Sequence, residues 1–291
     1  MLPIFRGAAT ALLTPFRPDG SIDLPAWDRL LERQLDAGIA ALVVCGTTGE
    51  AATLTQDERL TLLRRAKQAA CDHCPVIMGV GTNCTAGSVE NAELAAQNGA
   101  DALLAVTPYY NKGTQAGLLA HYTAIADASD LPVIIYNVPG TTGVGLSLAQ
   151  FKDILSDDRV VAVKYTDVNY YTLDRIKKHT GAYIYSGADE CFAYALMAGA
   201  DGGIGTSMNY CTEKFIAIKK AFDGGDIATA QNEQRKINNC VQAIIETRGL
   251  PAMKYMTTVA TGIDVGCCRK PFRELTADEK KLLEKTAAEN L

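Results

Sequence analysis

V-V-A-V-K-Y-T-D, residues 160–167, decides the fold. Four apolar residues, Val160 to Val163, run without interruption into Lys164. An unbroken apolar run of this length reads as a strand covered on both faces, the kind found in parallel sheets flanked by helices. An ammonium at the end of such a strand costs on the order of several kcal/mol in desolvation unless it is paired, reaches water or gives up its proton. Two readings of Lys164 follow. It snorkels outward or makes a core salt bridge, or it is an amine of lowered pKa that forms an imine with a carbonyl substrate.

Working outward, seven further runs have the same character: 7–14, 41–46, 75–81, 100–107, 132–138, 182–187 and 201–206. Segments with helical spacing alternate with them, among them 24–38, 56–70, 86–99 and 117–129. Gly38 and Gly99 stand where helices stop, and Thr55 followed by Glu58 is a capping-box signal. Eight strands, each followed by a helix, make an α/β fold of the (β/α)8, or TIM-barrel, type. The alternative, a doubly wound open sheet, lacks support because no G-x-G-x-x-G loop follows the first strand. After an eighth helix at 212–223, helical sequence continues through 226–247, 251–261 and 276–289. The expected organisation is a barrel over 1–224 with a C-terminal helical extension over 225–291 packed on it, without internal repeats beyond the βα unit.

The chain has 291 residues, 48% hydrophobic and 21% charged, with a formal net charge of -5. That balance, with no basic cluster, argues against nucleic-acid binding. No apolar stretch approaches the roughly 20 residues of a membrane span. The N-terminal Arg6 and the apolar run after it loosely resemble a signal peptide, but Pro3 and Pro15 bracket the run and it fits a first strand better. Nine cysteines without a regular framework suit free thiols in a reducing, cytoplasmic setting. The lone C-x-x-C at 71–74 reads as a helix end, with no second pair at zinc-site spacing. His73, His121 and His179 are assigned surface or capping roles on helices or helix ends.

In barrels of this type functional residues stand at the C-terminal ends of the strands. After the second strand comes Gly46-Thr47-Thr48-Gly49-Glu50, whose hydroxyls and backbone N–H groups suit a small carboxylate, although a plain Gly/Thr turn reads the same way. Tyr136 and Lys164 occupy matching positions on neighbouring strands five and six, which sets a phenol beside the amine, a plausible proton relay. Ser186-Gly187-Ala188-Asp189-Glu190 follows strand seven and Gly205-Thr206-Ser207 follows strand eight. The acidic pair suits either the opening of a helix or the hydroxyls of a substrate.

Taken together, G-T-T-G-E (46–50), Y-N-V-P (136–139), A-V-K-Y-T (162–166) and S-G-A-D-E (186–190) resemble the dihydrodipicolinate synthase / N-acetylneuraminate lyase family, over nearly the whole chain and in order. The resemblance implies a pyruvate-dependent class I aldolase, a homotetramer without metal or organic cofactor. Lys164 is then the Schiff-base lysine and Tyr136 the proton shuttle. Thr47 and Thr48 bind the pyruvate carboxylate, and Thr47 links Tyr136 to Tyr110, a residue that relatives supply from a neighbouring subunit. Gly187 and Ile204 line the pocket through backbone groups.

The aldehyde is argued from departures. Dihydrodipicolinate synthases usually read Y-N-V-P-x-R-T-G, and here Thr141 replaces the arginine that holds the carboxylate of aspartate semialdehyde. A threonine hydroxyl does not replace a bidentate guanidinium, unless Lys112 or another cation substitutes. Gly187-x-Asp189-Glu190, 199–205 and C-R-K-P-F (268–272) resemble the sialic acid lyases, in which the acidic pair binds the sugar tail, with Thr166 and Thr206 adding hydroxyl contacts. Tyr109-Tyr110-Asn111-Lys112 looks more like the synthases. The leading expectation is cleavage of N-acetylneuraminate, or a similar sugar keto acid, to pyruvate and an aldehyde sugar. The alternatives are 4-hydroxy-tetrahydrodipicolinate synthase, an aldolase for another 2-keto-3-deoxy sugar acid, and a catalytically silent pyruvate or sugar-acid sensor.

Overall fold

In the computed structural model, residues 4–71, 73–111, 113–247 and 249–291 are described. The expected eight strands are present: β1 (Gly7–Ala11), β2 (Ala41–Val44), β3 (Val76–Gly79), β4 (Ala102–Val106), β5 (Val133–Asn137), β6 (Val160–Tyr165), β7 (Tyr183–Ser186) and β8 (Gly202–Gly205). They pair in parallel in chain order, and β1 pairs with β8 to close the barrel. Most strands stop earlier than the apolar runs that announce them. The last residues of those runs leave the sheet as loops: Cys45, directly after β2, has a positive φ of 55° that no strand continues.

The outer helices are α1 (Leu24–Asp36), α2 (Gln56–Ala70), α3 (Thr85–Gln97), α4 (Gln115–Asp127), α5 (Pro139–Thr142), α6 (Leu148–Ile154), α7 (Tyr170–Thr180), α8 (Phe192–Met197) and α9 (Met208–Asp223). The capping box at Thr55 and Glu58 opens α2. Helix α9 starts one turn before the expected 212, and Cys211 breaks that turn from the rest with non-helical angles. Helices α10 (Ile227–Glu246), α11 (Leu250–Thr261) and α12 (Ala277–Asn290) follow. Of these, α10 lies along α9 and against the turn of 3₁₀ helix at Asp189–Cys191, while α11 packs on α9 and α12. No helix among the described residues is long and apolar enough to cross a membrane.

Two apolar cores result from the period-two alternation of the strands. Val44, Val76, Leu103, Ile135, Val163 and Tyr165 face the helices. Ala9, Val43, Ile77, Leu104, Ile134 and Tyr136 fill the barrel interior. Strand β6 departs from simple alternation. Val133 pairs with Val160 but Ile134 pairs with Ala162, so β6 carries one extra residue at Val161. Val161 and Ala162 both face the interior, while Val160 and Val163 face the helices. A bulge of this kind re-aims every side chain after it. Without it, Lys164 would point out toward the helices.

His121 departs from its expected surface role. It is buried in α4, its Nδ1 3.0 Å from Thr85 Oγ1, because it lies on the inner face of the helix beside Tyr122. Burial lowers its pKa to about 4. His73 and His179 are exposed, the first just past α2 and the second in the last turn of α7. The C-x-x-C behaves as a helix end: Cys71 caps α2 and both thiols are free.

Candidate active site

The bulge and the barrel register bring Lys164 and Tyr136 together. The two residues are direct partners across β5 and β6, and Lys164 Nζ lies 4.2 Å from the Tyr136 ring centroid. Lys164 is 6% exposed, and no carboxylate among the described residues lies within ion-pair distance of it. Both versions of the structural reading therefore fail, since the amine neither snorkels to the surface nor makes a salt bridge. What remains is a buried amine beside a phenol at the C-terminal end of a barrel strand, suited to attack on a carbonyl.

A glycine lets Thr166 and Lys164 pack close together here. A Cβ on Gly187 would overlap Thr166 Oγ1 and come 3.1 Å from Lys164 Cε. Thr166 Oγ1 is buried and has no hydrogen-bond partner among the described residues, which leaves it open to a bound molecule.

The turn after β2 places its two threonines differently. Thr47 is exposed, while Thr48 is buried with its Oγ1 2.6 Å from Thr206 Oγ1 at the end of β8. The turn is closed by Gly49 N donating to Gly46 O and Glu50 N donating to Thr47 O, each at 3.1 Å. Ile204 is fully buried in the barrel interior. Tyr110 is 91% exposed at a positive φ of 72°, and no hydrogen bond among the described residues joins it or Thr47 to Tyr136. One chain alone thus assembles Lys164, Tyr136, Thr48 and Thr206, but not the expected tyrosine–threonine–tyrosine link.

Beside this centre opens a cleft of about 240 Å³, lined by Thr166, Gly187, Asp189, Glu190, Thr206 and Ser207. Asp167 and Val168 join the lining, as do Val241 of α10 and Met253 of α11. The acidic pair divides its work. Asp189 Oδ2 accepts the Ser207 N–H at 2.7 Å, and a Cβ on Gly205 would overlap its other oxygen. Burial pushes the Asp189 carboxyl up, opposed by the Ser207 hydrogen bond and reinforced by the like charge of Glu190. Glu190 has no ion pair or hydrogen bond among the described residues and is the freer acceptor. Thr141 stands exposed in α5, its N–H donating to Val138 O at 3.0 Å, and Lys112 lies outside the described residues.

Sequence reasoning set Ser207 at a strand end without giving it a role, and it missed the extension residues. Ser207 follows Thr206 at a strand end, so its signal was present. Val241 and Met253 carry none, because only tertiary packing of α10 and α11 brings two ordinary helix residues to the cleft.

Comparison with known proteins gives consistent results. Residues 4–290 match the model of the dihydrodipicolinate synthetase family. The chain is 38% identical over 284 residues to the 4-hydroxy-tetrahydrodipicolinate synthase of an Exiguobacterium species, covering 96% of each chain. Among solved structures, a dihydrodipicolinate synthase from Bacillus anthracis superposes with a TM-score of 0.95 at 32% identity, over 99% of both chains. CdNal from Clostridium difficile, solved in complex with mannosamine, superposes with a TM-score of 0.94 at 28% identity, over 98% of this chain and 99% of that one.

Proposed function

The chain belongs to the dihydrodipicolinate synthetase family, class I aldolases that use pyruvate through a lysine Schiff base without an external cofactor, and from that premise we propose its particular reaction. Lys164 condenses with the keto carbon of pyruvate, releasing water and forming a protonated imine. Loss of a methyl proton gives the enamine, which attacks an aldehyde carbon. The reverse sequence cleaves that bond, its electron pair passing into the imine. Tyr136 passes protons at the imine and the new alkoxide, and Thr48 with Thr47 holds the pyruvate carboxylate. The observation that carries this reading is the buried Lys164, beside the Tyr136 ring and without an ion-pair partner among the described residues. It also weighs against the silent sensor, which has no need of either group. The subunits assemble as a homotetramer in the cytoplasm, with Tyr110 completing the relay of a neighbouring site.

For the aldehyde, the curated relatives favour condensation with aspartate semialdehyde, as in 4-hydroxy-tetrahydrodipicolinate synthases, over the cleavage of N-acetylneuraminate that led the sequence reading. One specific observation favours a second reading, a lyase for a sugar keto acid. The cleft is lined by Asp167, Asp189 and Glu190, and its described lining holds no arginine or lysine to receive a second carboxylate. Here Glu190, Thr166 and Thr206 accept or share hydrogen bonds with sugar hydroxyls. Two assays on one preparation decide: consumption of aspartate semialdehyde with pyruvate, and pyruvate release from N-acetylneuraminate coupled to lactate dehydrogenase. Turnover of the semialdehyde alone supports the synthase, and release from the sugar acid alone supports the lyase. Protein that traps pyruvate with borohydride yet turns over neither belongs to a third aldehyde.

A further inference from the structure

The last residue of G-T-T-G-E has no role in the chemistry above, yet it is among the most constrained in the chain. Glu50 adopts a left-handed φ of 55°, a conformation costly for a residue with a Cβ. Its carboxylate is fully buried, with Oε1 2.7 Å from Lys254 Nζ, and the two side chains are 0% and 1% exposed. The contact is close enough for an ion pair but is not aligned as a hydrogen bond. Glu50 Oε2 accepts the backbone N–H of Arg269 at 2.8 Å. Lys254, on α11, donates in turn to Thr14 O at 2.7 Å and Cys267 O at 2.6 Å, and its ammonium lies 4.5 Å from the Phe16 ring centroid. Thr14 closes the circuit by donating its hydroxyl to Gly49 O at 2.7 Å.

Four segments distant in sequence meet here: the loop after β1, the turn after β2, helix α11 and the irregular connection between α11 and α12 that carries Cys267 and Arg269. A buried ion pair is seldom the most stabilising way to fill a core, since apolar side chains of similar volume often do as well. What it supplies is direction: Glu50 Oε2 is tied to the Arg269 N–H, the Lys254 ammonium to Thr14 O and Cys267 O, and the two charges to each other. Glu50 follows Thr48 by two residues, and its own N–H closes the turn on Thr47 O.

We propose that Glu50 and Lys254 are positioning residues that hold the Thr47–Thr48 turn in its pyruvate-binding shape, so that the C-terminal extension is part of the active site's framework. The proposal rests on the reading that this turn receives the pyruvate carboxylate. It assigns the pair to pyruvate affinity, leaving the chemistry to Lys164.

The test compares Glu50→Gln, Lys254→Met and the double variant, measuring urea stability and the pyruvate concentration that half-saturates borohydride trapping at Lys164. Each single variant strands a buried charge or leaves its partner unpaired, and half-saturation is expected to rise by roughly ten- to a hundredfold. Trapping at saturating pyruvate remains complete. The double variant removes both charges and isolates positioning from charge balance. Its stability is expected near that of the wild type while half-saturation stays raised, and this holds as the deciding result even where a single variant does not fold. A double variant with wild-type half-saturation overturns the proposal and leaves the pair a structural filler. A wild-type protein that traps no pyruvate overturns the underlying reading of the site, and the proposal with it.

Discussion

At the proposed imine centre beside the cleft, Lys164 and Tyr136 are fixed by paired strands, a bulge and a packed barrel interior. At the proposed aldehyde end, the cleft is lined by Thr166, Asp189, Glu190 and Ser207 from the connections after β6, β7 and β8, and by Val241 and Met253 of the extension. The reaction's constant half is built on sheet register, where a one-residue slip reverses every side chain. Its variable half is built on loops, which tolerate substitution without disturbing the barrel. This is why family membership is plain from the chain while the aldehyde depends on a handful of loop residues.

The comparison is broken most severely at the imine end. Lys164→Ala is expected to lower turnover by about 10⁴-fold or more, whichever aldehyde is supplied, with the circular-dichroism spectrum unchanged. Tyr136→Phe removes only the proton relay. Its kcat is expected to fall by roughly 10²–10⁴-fold while saturating pyruvate still forms the borohydride adduct on Lys164. Loss of that adduct would make Tyr136 necessary for the imine itself. At the aldehyde end the effects are smaller and selective. Thr141→Arg should raise kcat/KM for aspartate semialdehyde by about tenfold, the scale of one charge-assisted hydrogen bond, and leave pyruvate half-saturation alone. No gain would place position 141 away from the second substrate.

The smallest effect lies remote from both ends. His121, ordinarily near 6.5, is held down to about 4 by burial. The unfolded chain takes up its proton below pH 6.5 and the native chain does not until about pH 4. The stability due to its neutral burial is therefore complete above pH 6.5 and is lost as pH falls toward 4. Urea titrations of wild type and His121→Asn should show a gap in pH dependence confined to that window, and parallel curves would contradict the assignment.

The legible part of the molecule is the part governed by local periodicity. All eight strands follow from apolar runs and the α2 capping box from the Thr55–Glu58 spacing; Tyr136 and Lys164 hold matching places in their runs, but it is the bulge that sets them opposite each other. The bulge at Val161 was not legible, because V-V-A-V is apolar at every position and offers no alternation to be broken. His121 was misplaced because α4 is apolar on most sides, so nothing in its pattern separates an inner from an outer histidine. Asp189 and Glu190 stood adjacent in a motif and read as a pair, whereas the fold ties Asp189 to Ser207 and leaves Glu190 free. Lys254 carried no signal at all, since its partner Glu50 lies 204 positions earlier in the chain.

Peptide mapping by mass spectrometry after incubation with pyruvate and borohydride tests the central claim most directly. The account predicts the mass of one reduced pyruvate on the peptide containing Lys164, on no other lysine, and absent from Lys164→Ala. An adduct on another lysine, or one that persists in the variant, would contradict it.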